Sequence, residues 1–287
     1  MEALIDSKTS PIEKLYRGTT SWVRLLPDFI IIGTQRGGTT SLYSYLASHP
    51  SVSPASTKEV HFFDNKFTKG LAWYRAHFPS AIEKYYSEHI QKRNFITGES
   101  SPYYLFHPHV PERVAKAVPH AKLIVLLRNP VDRAYSQYNH EVDGGRETLT
   151  SFEEAIGREE ERTAEEREKM AKDEYYVSDH HRHHSYLAKG IYVDQLRNWM
   201  NCFPRERFLI LKSEDFYASP AAGLQQTLSF LNIPQAKLKS DEGEYKQYNN
   251  KTFTKMSSDT RKRLIEYFKL HNERLYDYLG VNFGWDK

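Results

Sequence analysis

The sequence has very little cysteine and no long apolar run. Its one cysteine, Cys202, lies in an aromatic stretch, which excludes an internal disulfide and a multi-cysteine metal site. No segment approaches the roughly 20 consecutive apolar residues that cross a membrane. The N-terminal residues show no apolar stretch of the length found in a secretion signal. These absences predict a cytoplasmic protein without a membrane span.

The sequence also lacks a strong excess of either charge. It has 40 Lys and Arg against 37 Asp and Glu, for a formal net charge of +3 at pH 7. This mildly basic balance suits an anionic ligand but is too weak to indicate a nucleic-acid partner. The length of 287 residues suits one large α/β domain. We expect this single domain over residues 27–287, after a lead-in of residues 1–26.

Short apolar segments alternate with helical patterns along the chain. The segments predict strands over residues 29–32, 95–99, 122–128 and 208–211, whereas prolines at both ends make residues 50–54 a turn. Strands that alternate with helices form parallel sheets through right-handed crossovers. The predicted fold is therefore α/β, with a P-loop-like central parallel sheet and helices on both faces.

The first predicted strand leads into a glycine-bracketed loop and then a helix. Gly33 and Gly38 match the glycines of the nucleotide-hydrolase loop G-x-x-x-x-G-K-[ST], but Thr39 occupies the lysine position. Backbone N–H groups of such a loop, followed by a helix start, bind anions without special side chains. The candidate anion-binding residues are Thr34, Gln35, Arg36, Gly37, Gly38, Thr39, Thr40 and Ser41.

A second cationic motif follows the strand over residues 122–128. Ligands of parallel sheets collect at the carboxyl ends of the strands, so Arg128 is expected to point into the same crevice as the loop. Ser136 lies about two helical turns further on. An arginine and a serine here indicate a second phosphate, separate from the one in the loop. Two separated anionic ends favour an adenosine 3′,5′-bisphosphate over ATP.

Taken together, residues 34–41, 128–136 and 58–63 resemble motifs of the PAPS-dependent sulfotransferases, especially the heparan sulfate N- and O-sulfotransferases and their bacterial relatives. The resemblance extends over residues 27–283. It implies the sulfotransferase fold, 3′-phosphoadenosine 5′-phosphosulfate (PAPS) as cosubstrate, and no metal. It also implies that the loop holds the 5′-phosphosulfate and that Arg128 and Ser136 bind the 3′-phosphate.

The resemblance suggests further cofactor-binding residues and shows two departures. Tyr192 falls in another matching segment, and Lys251 and Lys255 fall where relatives place a loop over the nucleotide. Many relatives carry lysine where Arg36 stands, and heparan-type enzymes often carry lysine at the position of Ser100. The second departure weakens the case for a glycan acceptor.

Sulfonyl transfer needs a base for the acceptor proton and positive charge for the phosphosulfate. The resemblance assigns the base role to Glu59, and we expect Val60, Phe62 and Phe63 to raise its pKa by desolvation. Lys58 and Arg36 would stabilise the phosphosulfate. His61 is the alternative base.

Several alternatives remain open. A P-loop nucleotide kinase or hydrolase would need a lysine at position 39 and a magnesium carboxylate, and a non-catalytic nucleotide-binding module would show no turnover. The histidine-rich residues 180–184 are expected to form a loop, either solvated or facing the ligands, rather than a metal site. The acceptor is a glycan, a small metabolite, a lipid or a carrier-protein-bound acyl chain. The lack of a signal favours the metabolite and the carrier-bound chain. The oligomeric state is not readable from the sequence.

Overall fold

The computed structural model describes residues 10–235 and 256–286, which are built around a parallel sheet of five strands. The strands are β1 (Phe29–Gly33), β2 (Val52–Pro54), β3 (Ile96–Ser100), β4 (Lys122–Leu127) and β5 (Phe208–Lys212). Their order across the sheet is β2-β3-β1-β4-β5, and every pairing is parallel.

Helices connect and cover the strands. Within the described residues they are α1 (Pro11–Thr19), α2 (Thr39–Ala47), α3 (Phe62–Asn65), α4 (Gly70–Arg75), α5 (Ala81–Tyr85), α6 (Val110–Ala117), α7 (Pro130–Asp143), α8 (Phe152–Gly157), α9 (Glu159–Lys172), α10 (Asp179–His184), α11 (Tyr192–Met200), α12 (Ser213–Ala218), α13 (Pro220–Leu231) and α14 (Ser258–Leu279). No helix of this part of the chain is both long and apolar enough to cross a membrane.

Successive side chains of β1 pack on opposite faces of the sheet, each in its own hydrophobic core. Ile30 and Ile32 of β1 pack in a core that includes residues of α3, α4, α6, α11 and α14. Phe29 and Ile31 pack on the opposite face with residues of α2, α12 and α13. This follows from the two-residue period of a strand, because a sheet covered on both faces needs apolar residues at every position. The predicted α/β fold with helices on both faces is confirmed.

Strands β1 and β4 are neighbours at the centre of the sheet, with Ile31 opposite Ile124. The chain leaves β1 towards one edge of the sheet and returns to the other side at β4. Such a reversal opens a crevice at the carboxyl ends of the two strands. The prediction that strand 122–128 lies beside the first strand is therefore confirmed.

The structure differs from the sequence-based expectation at residues 50–54. The expected turn contains the short strand β2, which pairs with β3 at the edge of the sheet. Pro54 is tolerated because it ends an edge strand, whose outer side needs no hydrogen-bond partner. The prolines indicated where the segment begins and ends but gave no sign that it pairs with β3.

A second difference concerns residues 180–184, which were expected to form a loop. They belong to helix α10, where the Ser178 side chain accepts a hydrogen bond from His181 N at the helix start. A serine in this position stabilises a helix by satisfying one of its first N–H groups. The loop expectation was wrong.

The segment before residue 27 is attached to the rest of the molecule. Arg24 is buried and donates to the carbonyl of Phe78 at 2.8 Å, and Leu25 N donates to the carbonyl of Pro79 at 3.0 Å. The division into a lead-in and one domain stays a prediction.

Candidate active site

The loop between β1 and α2 passes very close to β4. Thr34 N donates to the carbonyl of Leu126 at 3.0 Å, and a Cβ atom at position 37 would lie 2.7 Å from that same oxygen. Gly38 has a φ of 95°, a conformation that side chains disfavour. The first N–H groups of α2 follow directly and lack intrahelical partners. Glycine is thus required for the helix start to face the crevice, where it attracts anions.

Two guanidinium groups meet at this loop, that of Arg36 from the loop itself and that of Arg128 from the end of β4. Arg36 Nε donates to Ser136 Oγ of α7 at 3.1 Å, and Arg128 Nη1 donates to the carbonyl of Arg36 at 3.0 Å. Burial, and then repulsion from Arg128, lower the pKa of Arg36. Within the described residues, neither guanidinium forms an ion pair with a carboxylate. An unbalanced cation pair of this kind is suited to an anionic ligand.

The side chain of Arg36 reaches Ser136 on α7. The sequence placed Arg36 with the 5′-phosphosulfate and Ser136 with the 3′-phosphate, yet these two side chains are hydrogen-bonded to each other. The two expected phosphate positions therefore meet at Arg36. Its catalytic role stays a prediction.

Lys58 and Glu59 approach the loop from the other side. Lys58 Nζ donates to Thr40 Oγ1 at 2.7 Å and lies 3.6 Å from Glu59 Oε1. The side chain of Glu59 is 34% exposed. The segment over residues 58–63 is thus joined to the start of α2, with the carboxylate open to the crevice.

His61 connects Glu59 to a second, buried carboxylate. Its Nε2 lies 3.0 Å from Glu59 Oε2, and its Nδ1 lies 2.6 Å from Asp64 Oδ2. Burial opposes the charged ring, but the hydrogen bonds to Asp64 and Glu59 raise the pKa of His61 to about 9. His61 is therefore an imidazolium at neutral pH and is poorly suited to act as the base. Sequence reasoning missed Asp64, although its position three residues after His61 was a usable signal.

The pKa of Glu59 shifts in the direction opposite to the one expected from the sequence. Partial burial raises it, but the hydrogen bond from His61 and the charge of Lys58 bring it below its usual value. Val60, Phe62 and Phe63 are buried in the core, where the Phe62 ring stacks on Tyr74 at 4.6 Å. The expectation of a raised pKa was wrong because the cationic neighbours outweigh desolvation.

Helix α10 brings a further cation to this centre. Arg182 Nη2 lies 3.0 Å from His61 Nε2. That nitrogen donates to Glu59 when the ring is charged and accepts from Arg182 when the ring is neutral. Sequence reasoning missed Arg182, since 121 residues separate it from His61 and no local pattern reveals the contact.

The histidines around Arg182 point in different directions. His180 Nδ1 lies 3.0 Å from His184 Nδ1, His183 Nδ1 lies 3.1 Å from Glu141 Oε2, and His181 is buried. Over residues 10–235 and 256–286, no group of three or more His, Cys, Asp or Glu is arranged to hold a metal ion.

Lys189 connects the loop between β1 and α2, which we call the phosphate loop, to α10. Its Nζ donates to Gln35 Oε1 at 2.7 Å and also to the carbonyl of Arg182. Burial lowers the pKa of Lys189 well below its usual value. Because Gln35 uses its amide oxygen here, the loop is tied to the helix that carries Arg182. This lysine was not among the residues expected from the sequence.

Glu99 at the end of β3 supports the backbone around His61, whose φ of 54° is left-handed. Glu99 accepts hydrogen bonds from the hydroxyls of Tyr74 at 2.6 Å and Ser101 at 2.7 Å. Ser101 Oγ in turn accepts from His61 N at 3.2 Å. Burial raises the pKa of Glu99 to about 7. This fully buried network fixes the turn that presents His61.

The sequence also predicted that Tyr192, Lys251 and Lys255 bind the cofactor. Tyr192 is 1% exposed and donates its hydroxyl hydrogen to the carbonyl of Arg128 at 2.8 Å, so this hydrogen is not available to a phosphate. Tyr192 supports the backbone at Arg128 through this bond, and its contact with the cofactor stays a prediction. Lys251 and Lys255 lie outside the described residues.

A parallel sheet whose first strand runs into a glycine-bracketed loop and a helix start is the arrangement of the P-loop-like proteins. Thr39 at the lysine position separates this chain from the kinases and hydrolases of that class. A sulfotransferase domain model matches residues 26–277, and the chain belongs to the sulfotransferase family. The family predicted from the sequence is confirmed, and the kinase or hydrolase alternative is not favoured.

Curated relatives extend over most of the chain. The membrane-associated sulfotransferase kil1 of Dictyostelium discoideum is 30% identical over 91% of this chain and 66% of its own length. The human heparan sulfate glucosamine 3-O-sulfotransferase 3B1 is 28% identical over 98% of this chain and 70% of its own length. The chain thus spans about two thirds of the length of these relatives, and slightly less for the first.

A solved structure has the same architecture. The sulfotransferase from Alicyclobacillus acidocaldarius superposes with a TM-score of 0.69 at 28% identity, covering 92% of this chain and 100% of the other. This agreement supports the sulfotransferase fold.

Proposed function

We propose that this chain transfers a sulfonyl group from PAPS to an acceptor hydroxyl or amine, by in-line displacement with a carboxylate base. The observation that carries the proposal is the hydrogen bond from Lys58 Nζ to Thr40 Oγ1, at 2.7 Å. It places Glu59 beside the helix start that would hold the phosphosulfate. An acceptor bound at Glu59 would therefore lie close to the reacting group, which is the main requirement for transfer.

The residues present fit the anionic groups of PAPS. The backbone N–H groups at the start of α2 and the Thr40 hydroxyl are suited to the 5′-phosphosulfate. Arg128 and Ser136 are suited to the 3′-phosphate, with Arg36 between the two anionic groups. The support for this assignment is the cation pair that no carboxylate balances within the described residues.

Glu59 fits the base role better than His61. A carboxylate whose pKa lies below its usual value is ionised at neutral pH and can accept a proton. His61 carries its proton up to a pKa of about 9 and so orients Glu59 instead of replacing it. Lys58 would stabilise the negative charge on the sulfonyl oxygens.

For the acceptor we propose classes of compound to test. The human relative named above acts on heparan sulfate glucosamine, which makes an amino-sugar glycan the first acceptor to test. A small hydroxylated metabolite, a lipid and a carrier-bound acyl chain are the other candidates. The cytoplasmic location also stays a prediction.

Nucleotide binding and transfer test the proposal separately. We expect 3′-phosphoadenosine 5′-phosphate (PAP) to bind in calorimetry, ATP with magnesium to bind much more weakly, and Arg128→Gln to weaken PAP by about ten-fold or more. Radiolabelled PAPS would be incubated with N-sulfated heparan and with para-nitrophenol. PAP binding without transfer to any acceptor class would favour the non-catalytic module, and preferred ATP binding with hydrolysis would contradict the proposal.

A further inference from the structure

A cavity of about 670 Å³ opens between α9, α10 and α14, outside the active site. We call it the α9–α10 cavity. Its apolar wall is formed by Phe106, Ile156, Met170, Leu187, Ile191 and Tyr267. Small-molecule sites in proteins are commonly about 300–1,000 Å³, mainly apolar, with a few polar groups that orient the ligand. The size and lining of this cavity are those of a ligand site.

Helix α10 separates the cavity from the catalytic residues. His181 lines the cavity, whereas the next residue, Arg182, reaches His61. Neither Glu59 nor Lys58 belongs to the lining. The cavity is therefore a separate site on the far side of the same helix.

His181 is the polar group that orients a ligand here. It is 4% exposed, stacks on Phe106 at 4.4 Å between ring centroids, and its Nδ1 lies 2.7 Å from the Tyr103 hydroxyl. No described residue hydrogen-bonds to its Nε2. The Tyr103 hydroxyl has no other partner among these residues, so we assign its hydrogen to the bond with Nδ1, which leaves the ring hydrogen of His181 on Nε2. His181 therefore offers one N–H donor to the cavity.

The charged side chains of the lining are hydrogen-bonded within the protein. Glu159 accepts from Leu187 N at 2.7 Å and from Ala188 N at 2.9 Å. Arg167 Nη2 donates to Glu160 at 2.5 Å. Burial, followed by the charge of Lys189, lowers the pKa of His181 to about 2, so its ring is neutral. A neutral ligand needs no counter-charge, and the hydrogen bonds of Glu159 and the Glu160–Arg167 pair can stay in place when it binds.

We propose that the α9–α10 cavity binds a neutral, ring-bearing small molecule with one hydrogen-bond-accepting oxygen. The ring system contacts the apolar wall, and the oxygen accepts from His181 Nε2. The site differs from the proposed PAPS site in both charge and location, and its occupancy does not depend on sulfonyl transfer.

Prodan, a neutral naphthyl ketone dye whose emission shifts to the blue in apolar surroundings, is the probe. It carries no hydroxyl or amine hydrogen and so cannot be sulfonated. We expect saturable binding to the full chain, unaffected by excess PAP. Ala171 is exposed and lines the cavity, so the larger side chain of Ala171→Trp should occupy part of it. We expect the affinity for Prodan to fall by about ten-fold or more. Lys172→Trp, on the next and solvent-facing position of α9, is the matched control and should bind as wild type.

His181→Phe tests the hydrogen bond while keeping an aromatic ring against Phe106. We expect Prodan to bind roughly five-fold to ten-fold more weakly, as for the loss of one hydrogen bond. PAP affinity must match wild type in both variants, which shows that the fold is intact. The proposal is overturned if wild type shows no saturable Prodan binding, if PAP displaces the dye, or if Ala171→Trp binds it as tightly as wild type.

Discussion

Glu59 is held beside the phosphate loop by Lys58 on one side and by His61 on the other. These cations stabilise the negative charge of the carboxylate, which keeps it ionised and able to take up a proton in the proposed base role. A carboxylate with a lowered pKa is a weaker base. The fixed position of Glu59 compensates for this weakness, because proton transfer depends first on how the base is placed against the acceptor. This balance suits a base that acts as the sulfonyl group moves.

Replacing Glu59 by Gln removes the proton acceptor and keeps the shape. We expect turnover to fall by about 10²–10⁴-fold, with PAP affinity changed by less than about three-fold. Radiolabel transfer and calorimetry give the two numbers. Glu112→Gln, at an exposed carboxylate on α6, is the control and should behave as wild type. Unchanged turnover in Glu59→Gln would rule out the base role.

Asp64 is the buried partner that keeps His61 protonated. In Asp64→Asn the pKa of His61 should fall from about 9 towards 6.5, because the strongest favourable hydrogen bond is lost. Activity that depends on the imidazolium should then decline at lower pH than in wild type. Ring resonances followed by NMR, with the pH profile of turnover, measure both effects. Asp194→Asn, which removes a surface pair with Arg274, should change neither. An unshifted His61 pKa would contradict the assignment.

At the scale of elements, the phosphate loop and α10 are joined through Lys189. The same helix contacts His61 through Arg182, so the loop and the His61–Glu59 pair are both connected to α10. Neither contact was predictable locally, because α10 itself was read as a loop of histidines. The histidine-rich pattern did not indicate that Ser178 caps a helix or that Arg182 contacts the distant His61.

Lys189→Met keeps the length of the side chain and removes its hydrogen bonds to Gln35 and Arg182. We expect KM for PAPS to rise by about ten-fold, with a smaller decrease in kcat, because the loop loses a support and the base remains. Lys172→Met, on the exposed face of α9, is the control. A decrease confined to kcat would show that Lys189 does not act through the nucleotide loop.

The strands differ in how well the local sequence pattern predicts them. Apolar segments were sufficient for β1, β4 and β5, because a buried parallel strand needs apolar residues at nearly every position. Strand β3 was also predicted, although after Ile96 it consists of Thr, Gly, Glu and Ser. The short strand β2 was missed, since only three residues pair, one of them is Pro54, and Pro50 precedes the strand closely. Its existence depends on β3 as a partner, which no local signal reveals.

At the scale of the whole molecule, the buried carboxylate of Glu99 links stability to pH. Its pKa in the fold, about 7, lies above its ordinary value of 4.5, so the folded state binds more protons between these values. The contribution of Glu99 to stability is fully present below about pH 4.5 and is lost as pH rises through about 7.

Glu99→Gln should remove that dependence. Between about pH 5 and 7 the free energy of unfolding of the variant should decline less steeply than that of wild type, by up to about 1.4 kcal/mol per pH unit for one proton. Urea unfolding at several pH values measures the slopes, and Glu112→Gln should follow wild type. Parallel slopes for wild type and Glu99→Gln would mean that Glu99 is already ionised in the fold.

The sequence by itself determined the α/β class, the phosphate-type loop and the sulfotransferase family. These depend on local chemistry, namely strand hydrophobicity, glycines where the backbone leaves no room, and a helix start that attracts anions. Only the tertiary structure decided that Arg36 meets Ser136 across 100 residues and that Arg182 reaches His61. It also decided that the pKa of Glu59 is lowered, because a pKa depends on the burial and charges that folding brings together.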